Sequence, residues 1–189
     1  MKKLFILFAA SVVTLAANAQ STQMVQVSKK EMKHEKHTER KEERKELKKL
    51  EGTEPTYQAK ESFLGDFGDV PDATWKREKF FDVVSFTLNG VPQTAYYDSD
   101  AELVGTVFTK TFADLPLSAQ KYINKKYAGY QKGRVIMFDD NEYNDTDMEL
   151  YGVQFEDADN YFIEMAKGGK DIVLQVTPEG GVYFFSEIR

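Results

Sequence analysis

Side chains able to do chemistry are sparse and fall in two places. His34 and His37, the protein's two histidines, stand either side of Glu35, a spacing that puts both imidazoles on one face of a helix. A divalent metal would need a buried shell to orient those rings, yet the surrounding KKEMKHEKHTERKEERKELKKL offers only Met32, Leu47 and Leu50 as apolar residues. The second place is DDNEYNDTDME, Asp139 to Glu149. Carboxylates at near-alternate positions suit a cation loop, but the glycine that lets such a loop turn is missing and Tyr143 breaks the alternation. A solvated hairpin loop is the plainer reading. Asn144-Asp145-Thr146 matches a glycosylation sequon, a pattern short enough to arise by chance.

The chain contains no cysteine, and no histidine follows His37. Thiolate nucleophiles, thiolate metal sites and imidazole bases are therefore excluded from the globular part. What remains is carboxylates, and no pair stands out among the 24 Asp and Glu that follow residue 51. The sequence predicts no enzyme, no catalytic residue, no metal site and no cofactor.

The elements that would position any working surface begin after two segments to be set aside. Lys2 and Lys3, an apolar run of 14 from Leu4 to Ala17 and the small-x-small triplet Ala17-Asn18-Ala19 make residues 1–19 a secretory signal peptide. That run falls short of the roughly 20 residues that span a bilayer, so the mature chain should begin at Gln20, be periplasmic or secreted, and carry no transmembrane segment. Residues 20–52 form a charged tail, helical or disordered. Lys29 to Glu51 holds ten Lys/Arg against seven Glu, net +3, whereas Gly52 to Arg189 holds 13 against 24, net −11. Two apolar positions per heptad are lacking, which excludes a coiled-coil seam from the tail. Its i,i+4 lines of Lys and Glu suit a solvated fraying helix or an electrostatic tether to an anionic envelope surface. An acidic domain repels phosphate backbones, so nucleic acid is not the expected partner.

Residues 53–189 read as one domain made of two units, about 57–112 and 114–189. The segment FTLNGVPQTAYYDSDAELV, Phe86 to Val104, is echoed by MAKGGKDIVLQVTPEGGVY, Met165 to Tyr183, at a fixed offset of 79 residues. Each copy runs strand, glycine turn, alternating strand, acidic turn, strand. Before the first copy, Tyr57, Phe63, Leu64 and Phe67 have helical spacing, and an edge-like strand opens at Trp75. Before the second, Leu115, Ala119, Tyr122, Ile123 and Tyr127 form the stripe of an amphipathic helix that Pro116 opens and Gly129 ends. Val135 to Phe138 and Met148 to Phe155 are further strands, absent or shorter in the first unit. Asn89-Gly90 is a two-residue hairpin signal. The fold class is α+β: tandem helix-plus-antiparallel-meander units, with the helices on one face of an antiparallel sheet.

The segments VPDATW, AYYDSDAELVGT, DLPLSAQKYINKKYAGY and TPEGGVYF strongly resemble the PepSY-like, β-lactamase-inhibitor-like family of secreted bacterial proteins. The resemblance covers about residues 60 to 189 and lies in spacing rather than in a catalytic signature. It implies helix-plus-sheet units in tandem and a non-enzymatic exported protein, and in the related inhibitor the open sheet face grips a target enzyme. Ala101 stands where the family pattern has Gly, which predicts a different local conformation for the first acidic turn.

Neighbouring strand residues point to opposite sheet faces. If Val84, Phe86, Ala95, Tyr97, Leu103, Ile163, Met165, Leu174, Val176 and Val182 meet the helices, together with Phe184, then Phe81, Val83, Tyr96, Val104, Phe162, Tyr183 and Phe185 lie opposite. A face with no helices on it should be polar, and this one is aromatic. Phe81, Tyr96, Phe162, Tyr183 and Phe185 are therefore the candidate partner-binding residues, the partner being a protein such as an envelope enzyme. The tail, the loop from Asp139 or a second subunit could equally cover this face. The remaining alternative is an envelope accessory protein tethered by its basic tail.

Overall fold

The computed structural model describes residues 47–188, and the leader, the start at Gln20 and both histidines lie outside them. Helix α1 (Tyr57–Phe67) leads into strands β1 (Thr74–Arg77), β2 (Asp82–Leu88), β3 (Val91–Tyr97) and β4 (Leu103–Lys110). Helix α2 (Leu117–Lys126) follows, then β5 (Gln131–Asp140), β6 (Met148–Leu150), β7 (Val153–Phe155), β8 (Asn160–Lys167), β9 (Lys170–Val176) and β10 (Val182–Ile188). Eight strands form one sheet in the order β1-β2-β3-β4-β5-β8-β9-β10, every neighbouring pair antiparallel, while β6 and β7 pair only with each other. The fold is α+β, as the periodicities predict.

Both helices sit on one face because each offers a narrow apolar stripe to it. Thr56 caps α1, its hydroxyl accepting from the Ala59 N–H at 3.1 Å. Ala59 and Phe63 then pack on Val84, Phe86, Ala95 and Tyr97, with the Phe63 ring edge-on to Phe86 and Trp75 at centroid distances of 4.9 and 5.5 Å. Under α2, Ala119 and Ile123 join Leu115 against Val135, Ile163, Met165 and Leu174. Lys125 and Lys126 in its last turn complement the helix dipole.

One buried ion pair fixes the entry to the domain. Asp82, fully buried at the head of β2, receives Arg77 Nε and Nη2 in a bidentate contact, and its second oxygen also accepts the N–H and the hydroxyl of Thr56 at 2.8 and 2.9 Å. The cap of α1, the edge strand and the sheet are thereby tied at one carboxylate. Arg77 Nη1 also donates to the Glu51 carbonyl, Leu50 N–H donates to the Lys79 carbonyl at 2.9 Å, and Leu47 packs on the core. The chain therefore joins the domain by Leu47, several residues before the boundary at 53 that composition suggests.

Residues 79 apart take matching places at the two acidic turns. Tyr97 pairs with Leu103 and Val176 with Val182 across the two acidic turns. Asp98 N–H donates to the Glu102 carbonyl and Thr177 N–H to that of Gly181, both at 3.0 Å; Ala101 N–H and Gly180 N–H close the two turns onto Asp98 and Thr177. Ala101 does not change the turn, contrary to the expectation from its side chain: at φ 62° it adopts the left-handed conformation that Gly180 takes at φ 91°. Its methyl group is buried beside Tyr97, and that packing offsets the steric cost.

The two positions should respond unequally to exchange between Gly and Ala. A Cβ at Gly180 would collide with the Ser118 hydroxyl of α2 and would have to adopt positive φ, so Gly180→Ala should cost roughly 2 kcal/mol or more. Ala101→Gly relieves strain of about 1 kcal/mol but gives up about 0.8 kcal/mol of methyl burial, leaving stability nearly unchanged. Urea unfolding of both variants checks this; equal losses would refute the difference in packing at the two turns.

Candidate functional site

The strip facing away from the helices is built from Phe81, Val83, Val104, Val107, Ile136, Phe138, Phe162 and Val173; alternation places most of them, and the register shift opposite Tyr96 and Tyr97 turns Val104 to the side of Val107. It is not open. The β6–β7 hairpin lies over it and inserts Met148, Leu150 and Phe155, with the Phe155 ring 5.4 Å from Phe138, 5.0 Å from Phe162 and 5.8 Å from Phe185. Burial of these large side chains contributes about 1.5 to 3 kcal/mol each.

The aromatic residues singled out from sequence are accordingly split. Phe81 and Phe162 are in a closed core, 2% and 0% exposed, and cannot reach a partner while the hairpin is in place. Tyr96 and Phe185 are half-buried at its margin. Tyr183 is 58% exposed. Phe184, expected under the helices, pairs with Leu174 on their side of the sheet but stays 59% exposed, because β10 is the outermost strand and no further strand flanks it. Alternation gives direction only where the ladder is regular. It is silent about what lies on top.

The hairpin is held down by the loop that resembles a cation site. Asp98, buried in the first acidic turn, accepts from Asp100 and Glu102 N–H at 2.9 and 3.0 Å through one oxygen. Its other oxygen accepts the Asn144 amide and the Thr146 hydroxyl, both at 3.1 Å. Asn144 and Thr146 of the loop thus serve as donors to one carboxylate of the first acidic turn. Asn144 is 2% exposed with its amide committed to Asp98 and the Leu103 carbonyl, which removes the sequon from consideration. At the hairpin's other end, Tyr151 takes the positive φ of its two-residue turn at 53°, and its hydroxyl donates to Glu164 of β8 at 3.0 Å. Among the described residues no group of three His, Cys, Asp or Glu is placed to hold a metal.

Pinning the loop leaves two residues standing out from it. Asn141 donates its N–H to the Val104 carbonyl at 3.0 Å and its amide to the Leu103 carbonyl at 2.7 Å. Asn144 N–H closes the turn onto the Asn141 carbonyl at 2.8 Å. Between these fixed points Glu142 is exposed and Tyr143 is 97% exposed, the most exposed large hydrophobic side chain among the described residues. Nothing in the sequence distinguishes Tyr143 from an ordinary loop tyrosine, since its setting depends on Leu103, about forty positions earlier. Asp139, at the start of the loop, has its carboxyl pushed up by burial and by Asp159. On the same sheet face, Ser85, Thr87, Thr94, Thr109 and Arg134 line a shallow groove of about 320 Å³.

Removing the carboxylate should free the cover without dissolving the sheet. Asp98→Ala leaves two buried donors unsatisfied, at about 1 to 3 kcal/mol each, and should raise amide exchange in residues 141–155 well above that in β8 and β9. Uniform loss of protection would refute the clasp. The tyrosines bring a pH limit. Burial, then Glu78, push the Tyr96 hydroxyl up to about 12, with Arg134 opposing; burial and Asp66 raise Tyr97, and burial and Glu164 raise Tyr151, all from 10.0. Folded values above the unfolded one mean that this stability is complete below pH 10 and is lost as pH climbs through 12. Urea midpoints should fall across that range, and fall less in Tyr97→Phe.

No protein-family model matches the sequence, and the search of curated proteins also returns no match. Solved structures do match. A BLIP-like protein from Bacteroides fragilis aligns at a TM-score of 0.55 with 13% identity, over 71% of this chain and 88% of its own. A DUF2874 family protein from Bacteroides uniformis gives 0.55 and 13%, over 68% and 86%. A candidate periplasmic protein from Bacteroides eggerthii gives 0.56 and 16%, over 71% and 90%. The BLIP-like description agrees with the inhibitor-like half of the resemblance read from sequence, and none of these three descriptions speaks to the PepSY-like half. At such identities the likeness establishes a common fold.

Proposed function

We propose that this chain is an exported, non-enzymatic protein-binding module of the inhibitor-like kind, and that its contact surface centres on the turn Asn141–Asn144. The observation that carries this reading is Tyr143, 97% exposed between Asn141, held to β4 by its N–H and its amide, and Asn144, held by its amide to Asp98 and the Leu103 carbonyl. A large ring on a preset turn gives up little freedom when it docks, which is where binding free energy is otherwise lost. Glu142 beside it and the domain's net −11, from 13 Lys/Arg against 24 Asp/Glu, favour a partner whose pocket is rimmed by cations. Support for export comes from the leader-like first 19 residues and from the candidate periplasmic neighbour; among the described residues no helix is long and apolar enough to cross a membrane. The lack of Cys and His after His37 supports binding rather than catalysis.

One observation favours the second reading, an envelope accessory protein: ten Lys/Arg against seven Glu in the tail, beside an acidic domain. The two readings separate experimentally. Immobilised mature protein, Tyr143→Ala, Glu142→Gln and a form lacking residues 29–46 are exposed to envelope protein of the exporting cell. The proposal expects a protein retained by the wild type, lost by about tenfold or more in Tyr143→Ala and weakened by salt, with unchanged melting of the variant. Retention that follows the tail and ignores Tyr143 would establish the tether instead.

A further inference from the structure

The sheet has two free edges, and they are not alike. β1 has four residues, its Arg77 is turned inward onto Asp82, and Lys76 pairs with Glu78 at 2.5 Å. It is short and charged, as protected edges are. β10 has seven residues, VYFFSEI, with Tyr183 and Phe184 more than half exposed and Ile188 at 37%. Its one charge, Glu187, is neutralised from within the sheet by Lys170 at 2.8 Å.

The backbone of β10 is also set for pairing outward. Thr177 N–H bonded to the Gly181 carbonyl makes those residues a bonded pair. Bonded and non-bonded pairs alternate along an antiparallel ladder. Tyr183 opposite Gln175 is then bonded inward, whereas Val182 opposite Val176 and Phe184 opposite Leu174 direct their N–H and C=O groups away from β9. Among the described residues no strand takes them up.

We propose that β10 pairs antiparallel with β10 of a second copy of this chain, joining two sheets into one about a twofold axis. An antiparallel partner must offer outward groups at every second residue, and β10 offers them at 182 and 184, before the register shift between Phe184 and Ser186, so over that stretch the strand meets its own requirement. Neutral edges bring no like charges together, and the short charged β1 disfavours head-to-tail growth, which leaves a closed pair instead of a fibre. Exposed area limits the strength. Rings that bury about 150 to 250 Å² when wholly covered, here 58% and 59% exposed, fall well below the roughly 800 Å² per partner of a stable interface. The pair is therefore weak, and because both domains are acidic it tightens as salt screens their repulsion.

Sedimentation velocity of the mature chain, from low micromolar to near-millimolar concentration and at low and high salt, tests this. The expected result is a monomer that becomes a dimer as concentration rises, more readily at high salt. Phe184→Pro removes an outward N–H without touching the inner ladder, and Tyr183→Lys sets a charge at the seam; both should stay monomeric with circular dichroism like the wild type. If Phe184→Pro does not fold, Tyr183→Lys decides alone. A wild type that is monomeric throughout, or variants that associate as it does, would overturn the proposal, as would growth into larger species with no dimer plateau.

Discussion

A sheet of eight strands that is apolar on both faces cannot be left half covered, and that constraint orders everything else in this molecule. Two helices meet the demand on one side, each over its own group of strands. On the other side a hairpin of two three-residue strands does the same work. So small a cover cannot hold itself in place by pairing alone. It is fixed at one end by Asp98 and at the other by the Tyr151 hydroxyl on Glu164, with Met148 and Phe155 driven into the rings beneath. Apolar area supplies the attraction; the polar contacts select the position.

Most of the sheet was legible because its turns announce themselves. Asn89-Gly90 and Gly168-Gly169 have the positive φ that two-residue hairpins require, and strict alternation in Ile172, Leu174 and Val176 sets which side of β9 meets α2. The cover was not legible as a cover. Met148-Glu149-Leu150 and Val153-Gln154-Phe155 are too short for a periodicity to say what they lie against, and the turn between them hides its positive φ behind a tyrosine. Asn144 and Thr146 look like solvated loop residues because their acceptor, Asp98, lies 46 and 48 positions earlier. Ala101 misled in the other direction, since a side chain was taken to exclude a conformation that local packing sustains.

The neighbours at 13% and 16% identity show how little of this depends on particular side chains. Cores tolerate exchange where volume and pattern persist. In this chain the demands on the fold are the spacing of its turns and a cover for each face. Exposed turns are bound by neither condition, so new contacts can be placed there at small cost to folding, and function must be argued from those positions and not from the fold.

The seam between the strands under α1 and those under α2 is a strand ladder. β4 and β5 pair through six positions from Gly105–Asp140 to Lys110–Val135, nearly as many as the seven within each meander at β2–β3 and β8–β9. Two domains joined by a linker can swing, and each can melt alone. Two units that share a ladder have no hinge, so bending at the seam would break backbone hydrogen bonds buried between a helix-covered face and a hairpin-covered one. The eight-stranded sheet therefore behaves mechanically as a single plate: heat or denaturant should take both of its halves down in one transition, and a surface presented by one half keeps its bearing relative to the other.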